Sequence, residues 1–200
     1  MNETARVGQP VPDFKMETYD PQEKSFGEVS LADIKKSGKW TVLVFYPADY
    51  TFVCPTELAD VARHQDDLAR EGAVVVGVSR DTKFVHLAWL REEKLLKDVR
   101  YLMASDTTGA VSRLFGVLDE ASGLSLRGTF IISPDGRLVG SEVNFFNVGR
   151  SAEELVRKVK ANAYLAQHPD EACPANWSRG SKTLKPGKDL VGRVAEALVH

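Results

Sequence analysis

The segment TVLVFYPADYTFVCPTE, running from Thr41 to Glu57, decides how this chain is read. Thr41 to Tyr46 is an apolar, β-branched run, the pattern of a strand buried on both faces. Pro47 ends it. From Pro55 to Glu71, apolar or small residues recur at Leu58, Val61, Ala62, Leu68 and Ala69, one stripe of a helix that Gly72 closes. Cys54 therefore sits between the carboxyl end of a buried strand and the first turn of a helix. Open α/β sheets bind their ligands at such ends. Unpaired backbone N–H groups and the helix dipole gather there, and both favour a thiolate. Pro55 suits the first helical turn, where its missing N–H would be unpaired anyway.

Working outward, AVVVGVS (Ala73 to Ser79) reads as a second buried strand and Thr82 to Leu96 as a helix packed through Val85, Leu87, Ala88 and Leu95. YLMAS is a short strand, and Thr108 to Phe115 a short helix. GTFIIS and RLVGSEV flank the turn Ser133-Pro-Asp-Gly136 and form a hairpin. Ser151 caps a last long helix, Ala152 to Gln167, with Glu153 and Glu154 in its first turn. Strand–helix alternation gives parallel pairing and the hairpin adds antiparallel strands. The expected fold is α/β: a thioredoxin-like mixed central sheet with helices on both faces. Residues 1–167 form this domain. Residues 168–200, with three prolines, three glycines and no helical stripe until their end, form an extended tail carrying Cys173.

A composition of 43% hydrophobic and 27% charged residues, with a formal net charge of -2, is that of an ordinary globular chain. No basic cluster points to nucleic acid, and no apolar run is long enough to span a membrane. The opening MNETARVGQPVPDF lacks the basic-then-apolar pattern of an export signal, so a cytoplasmic protein is expected. In that setting the glycosylation patterns at Asn2 and Asn176 are accidental. Cys54 and Cys173 are the two cysteines, too few for a disulfide scaffold. With four scattered histidines (His64, His86, His168, His200) they offer no zinc site. A disulfide between them in a reducing compartment would be transient and catalytic.

Two readings of Cys54 compete, an inert packing residue and a reactive thiol. Its place at a helix entry, beside hydroxyls and a carboxylate, favours reactivity. Ionisation is not sufficient for a fast enzyme. An ordinary cysteine is already several per cent thiolate near neutrality, so full ionisation gains only about an order of magnitude. Intrinsic nucleophilicity falls along with pKa. Donors beside the sulfur must stabilise the transition state. A hydroxyl such as Thr51 and a guanidinium such as Arg127, at the mouth of GTFIIS, would serve, although Arg127 alone reads as a solvated strand-end charge.

The motif resembles the active-site loop of the peroxiredoxins, Pro-x-x-x-Thr-x-x-Cys, met here by Pro47, Thr51 and Cys54. VGVSRDTKFVHLAW, LRGTFIISPDG, NVGRSAEELVRKVKA, EACPANW and LKPGKDLVG are similar to segments of the typical two-cysteine branch, in the same order, from about Gly8 to Gly192. The bacterial alkyl hydroperoxide reductase C type is the nearest resemblance. It implies a thiol peroxidase for hydrogen peroxide and organic hydroperoxides, without metal or flavin. Cys54 would be the nucleophile. Thr51 would bond the thiolate and the peroxide, Arg127 would hold the thiolate and polarise the peroxide, and Pro47 would shield the pocket. Glu57 would orient Arg127, with Arg150 as a second partner of that carboxylate. Cys173 of a partner chain would resolve the sulfenic acid to a disulfide, after the first helical turn unwinds. The resemblance further implies a homodimer joined through RLVGSEV. A ring of five dimers would have Phe84 and Val85 near its second interface. Thioredoxin or a flavoprotein disulfide reductase would recycle the disulfide.

The chain lacks the Gly-Gly-Leu-Gly insert and the C-terminal Tyr-Phe of members prone to overoxidation, so resistance to peroxide inactivation is expected. A holdase chaperone or a peroxide-signalling partner on the same assembly is the alternative function. A general disulfide oxidoreductase is disfavoured by the missing CxxC. Trp89 and Trp177 read as packing residues, the latter also as a pin for the tail. His64, ten residues beyond the thiol, is a poor candidate base.

Overall fold

The structure is a computed structural model and describes residues 4–198. Asn2 and His200 lie outside the described residues. The chain divides into two compact units, Met1–Ala152 and Glu153–His200.

The first unit is built on a seven-stranded mixed sheet of order β2-β1-β5-β4-β3-β8-β9. At its centre β3 (Trp40–Phe45) is buried at every position and runs parallel to β4 (Ala73–Ser79), which in turn runs parallel to β5 (Leu102–Ser105). β-Branched runs with no polar alternation belong in this position, since both faces of such strands are covered. β8 (Arg127–Ile132) pairs antiparallel with β3, and β9 (Leu138–Asn144) pairs antiparallel with β8. The turn between β8 and β9 closes through the Ser133 and Gly136 backbone, and Gly136 takes a φ of +91°, which a side chain would resist. A further pair, β6 (Leu118–Asp119) and β7 (Leu124–Ser125), stands apart from this sheet.

The sequence pattern does not reveal β1 (Lys15–Asp20), β2 (Ser25–Ser30) or the short helix α1 (Leu31–Lys36). β1 pairs antiparallel with both β5 and β2. Its alternate residues are charged or exposed, and β2 is an edge strand with four exposed positions and a glycine, so neither shows an apolar run. Ser30 caps α1, its hydroxyl accepting from the Asp33 amide. Val11, Phe14, Leu43, Phe45, Val76, Phe115, Phe130 and Ile132 belong to one buried cluster of this unit.

Helix α2 (Cys54–Arg70) follows β3, and α3 (Lys83–Glu92) follows β4. The α3 helix is shorter than the expected Thr82 to Leu96. Glu93 adopts extended backbone at ψ 110°, and its carboxylate accepts from the Leu95 amide to start a separate 3₁₀ turn, Lys94–Leu96. Helix α4 (Ala110–Leu114) is likewise shorter than the expected Thr108 to Phe115.

In the second unit α5 (Ala152–Leu165) leads into the tail. Residues 171–184 close on themselves through a backbone pair, Ala172 with Leu184. Glu171 accepts from the Tyr164 hydroxyl at 2.8 Å and from Thr183. Trp177 is buried, its ring 5.0 Å from that of Tyr164 and its indole N–H on the Ser181 carbonyl. The tail ends in α6 (Val194–Leu198). No helix among the described residues is long and apolar enough to cross a membrane.

Candidate active site

The eight residues between β3 and α2 have no strand or helix of their own, yet Pro47 and Asp49 are buried within them. The chain then enters α2 at Cys54. This helix has no side-chain cap: Val53 is the N-cap residue, and its helical φ,ψ of -83°, -35° is not the extended conformation of a capping serine. The first turn is held by Pro55, by the Thr56 hydroxyl donating to the Val53 carbonyl at 2.6 Å, and by Glu57.

Cys54 is fully buried. Arg127, the first residue of β8, points its Nη1 at the Cys54 sulfur at 3.4 Å and donates from the same atom to Glu57 Oε2 at 2.6 Å. Its Nε donates to the Phe146 carbonyl. Only 4% of the Arg127 side chain is exposed, which removes the reading of a solvated strand-end charge. Gly128 follows it, and a Cβ there would lie 2.8 Å from Val117 and 2.7 Å from Phe130, so β8 can pack this closely only with glycine.

Arg150 meets the same carboxylate from another side. Its backbone N–H and its Nε each donate to Glu57 Oε1 at 2.9 Å, and its Nη2 donates to Oε2 at 3.2 Å. Its Nη1 donates to the Thr129 hydroxyl. Among these three buried groups two guanidiniums face one carboxylate, an excess of one positive charge. A Cys54 thiolate beside Arg127 would neutralise it, and bidentate guanidinium–carboxylate geometry fixes both arginines in place.

The structure thus brings Cys54, Arg127, Glu57 and Arg150 together. Thr51 lies on the adjoining loop, and its hydroxyl donates to the Ala48 carbonyl at 2.8 Å. With its proton committed there, its free lone pairs are available to accept a hydrogen bond. His64, a poor candidate base by its spacing, bonds the Asp60 carbonyl of its own helix.

Cys173 belongs to the second unit and is partly buried in the closed 171–184 segment. Burial pushes its thiol up and the Glu171 carboxylate adds to this, with Arg157 opposing.

One buried cluster beside the loop is not foreseen from the sequence. Tyr46, Asp49 and His86 are hydrogen-bonded to one another out of contact with water. An aspartate in a turn-rich stretch and a histidine on a helix face carry no local signal that they meet.

Residues 7–141 match the AhpC/TSA family. The alkyl hydroperoxide reductase C of Staphylococcus haemolyticus is 48% identical over 181 residues, covering 90% of this chain and 95% of that protein. The protein of the same name from Staphylococcus saprophyticus is 49% identical over the same span. Among solved structures, Enterococcus faecalis AhpC superposes with a TM-score of 0.80 at 42% identity, covering 86% of this chain and all of that one. The reduced 2-Cys peroxiredoxin of Plasmodium vivax superposes with a TM-score of 0.85 at 33% identity, covering 92% of this chain and 94% of that one.

Proposed function

The chain belongs to the AhpC/TSA family and is a thiol-dependent peroxidase with the thioredoxin-like α/β fold, and from that premise we propose how its own residues carry the reaction. The observation behind the proposal is the fully buried Cys54 sulfur within 3.4 Å of a buried guanidinium that a carboxylate holds in place.

The Cys54 thiolate attacks the terminal oxygen of a hydroperoxide in line with the O–O bond. A sulfur–oxygen bond forms, the O–O bond breaks, and its electron pair leaves on the departing oxygen. That oxygen takes a proton and departs as an alcohol, or as water when the substrate is hydrogen peroxide. Arg127 donates to the charge that grows in this transition state, in a site from which Pro47 excludes water. Thr51 accepts from the hydroperoxide O–H and so orients the attacked oxygen, because its own proton is held by Ala48. Glu57 and Arg150 keep Arg127 from moving.

The product is a sulfenic acid at Cys54. Cys173 of a partner chain displaces hydroxide from it, which leaves as water, and an intersubunit disulfide forms. A buried sulfur must come out before another cysteine can reach it, so the uncapped first turn of α2 unwinds for this step. A dithiol reductase, thioredoxin or a flavoprotein disulfide reductase, then returns both thiols. The functional unit is a homodimer and the larger assembly a ring of five dimers, in the cytoplasm. Residues 1–167 act as the peroxidase domain and 168–200 as the tail that delivers Cys173.

The test is peroxide consumption with dithiothreitol as donor. Cys54→Ser should abolish it. Cys173→Ser should keep it with dithiothreitol and lose it with a protein dithiol. Undiminished turnover in Cys54→Ser sinks the reading.

A further inference from the structure

The buried Tyr46–Asp49–His86 cluster has no part in the reaction above. All three residues are at most 6% exposed, and Asp49 lies in the catalytic loop, two residues after Pro47 and two before Thr51. Both carboxylate oxygens and the backbone N–H of Asp49 are bonded. The Tyr46 hydroxyl donates to its Oδ1 at 2.7 Å, His86 Nδ1 bonds its Oδ2 at 2.7 Å, and its backbone N–H donates to Asp81 Oδ2 at 2.9 Å. Asp81 is itself held by the Ser79 hydroxyl at the end of β4. His86, on α3, reaches the Ala104 carbonyl of β5 through Nε2 at 3.2 Å. One loop residue is thereby tied to the ends of three neighbouring strands and to a helix.

Proton accounting shows how the cluster closes. The Ala104 carbonyl can only accept, so His86 Nε2 carries a proton. Tyr46 donates to Oδ1. A single proton is then shared between Asp49 Oδ2 and His86 Nδ1, and the pair is neutral as a whole. Burial raises the Asp49 carboxyl, while His86 and Tyr46 oppose the rise.

Building on the peroxidase reading, we propose that the Asp49–His86 pair is a positioning device for the reaction: it sets the placement of Pro47 and Thr51 over the Cys54 sulfur. Apart from those of Asp49, the side-chain hydrogen bonds of this loop among the described residues are Thr51 to Ala48 and Thr56 to Val53, both local, the exposed Tyr50 hydroxyl to Glu92, and a longer contact of 3.4 Å between Tyr46 and His86 inside the same cluster. Without its Asp49 anchors the loop keeps its local turn and loses its register on the sheet.

Two rates at Cys54 separate positioning from general structure: its reaction with hydrogen peroxide, which needs Thr51 and Pro47 in place, and its alkylation by iodoacetamide, which does not. Asp49→Ala should slow the peroxide step about 100-fold, the scale set by a misplacement of about 1 Å. Alkylation should not fall by more than about fivefold, since the reagent meets the buried sulfur when the first turn of α2 opens, where Thr51 and Pro47 play no part. Asp49→Asn should restore the peroxide step to within about tenfold of the parent, because its amide can donate to a neutral His86 Nδ1 while its carbonyl accepts from Tyr46. A folded Asp49→Ala protein whose peroxide rate is within about threefold of the parent, or whose two rates fall together, overturns the proposal, as does an equal loss in Asp49→Asn. If Asp49→Ala does not fold, Tyr46→Phe removes one anchor and should slow only the peroxide step, by about five- to tenfold; an unchanged rate there overturns the proposal equally. A parent protein that consumes no peroxide through Cys54 would instead sink the peroxidase reading itself.

Discussion

Glu57 lies between two buried guanidiniums, and its side chain is 4% exposed. Removing one member of such a buried cluster leaves the others uncompensated, so Glu57→Gln should cost about 3–5 kcal/mol of stability, read from a denaturant titration. A loss under about 1 kcal/mol would show the cluster to be solvated. Arg127→Gln removes the donor at the sulfur and should lower the second-order rate with peroxide by about 10²–10³. Stopped-flow fluorescence checks this, and an unchanged rate would place the transition-state donor elsewhere. These residues differ in how far the sequence reveals them. Cys54 stands out from topology alone, because a thiol at a strand-to-helix junction is an odd packing choice. Arg127 and Glu57 become legible only through the motif they accompany, since a strand-end arginine by itself reads as solvated. Asp49 and His86 could not be paired from the sequence, because 37 positions separate them and the sheet alone brings them together.

At the scale of elements, the proposed reaction has the first turn of α2 formed for peroxide reduction and open for resolution. Pro55 favours the formed state by restricting the unwound chain. Pro55→Ala should release about 0.4–1 kcal/mol of that bias, raising the opened population about two- to fivefold. Disulfide formation after a peroxide pulse should quicken by that factor, with the peroxide step itself little changed; a slower disulfide step would contradict the unwinding account. In the same proposal the 171–184 segment supplies the other half of the step. Cys173 is kept above the ordinary thiol range by burial and by Glu171, so it is mostly protonated near neutrality. The attacking species is the thiolate, and its fraction grows with pH until the raised value is passed. Disulfide formation should therefore climb about tenfold per pH unit between about pH 6 and pH 8. A flat profile would show that Cys173 ionisation does not limit it. The central parallel strands were plain from their β-branched runs and the hairpin from its turn residues. β1 and β2 escaped because half-exposed and edge strands carry charges and glycine in place of an apolar run.

For the whole molecule, sheet order and hairpin place Arg127 at a strand end next to the helix entry of Cys54, although they are 73 positions apart in the sequence. The linking segment after α3 is a single 3₁₀ turn, and the chain's last described helix is five residues with none buried. The sequence of these segments carries neither the Gly-Gly-Leu-Gly insert nor the C-terminal Tyr-Phe of members prone to overoxidation. The enzyme should therefore resist inactivation during turnover as hydrogen peroxide is raised, in a coupled assay with an excess of dithiol. Loss of activity at micromolar peroxide would contradict this. Transfer of one peroxide oxygen to Cys54 within the buried arginine–carboxylate site can be measured directly. Cys173→Ser protein is treated with one equivalent of hydrogen peroxide and then with dimedone, and the adduct is located by peptide mass spectrometry. A sulfenic-acid adduct is expected on Cys54 in nearly every chain, with a large drop in labelling when Arg127→Gln is combined with Cys173→Ser. Peroxide consumed with Cys54 left unlabelled would contradict it.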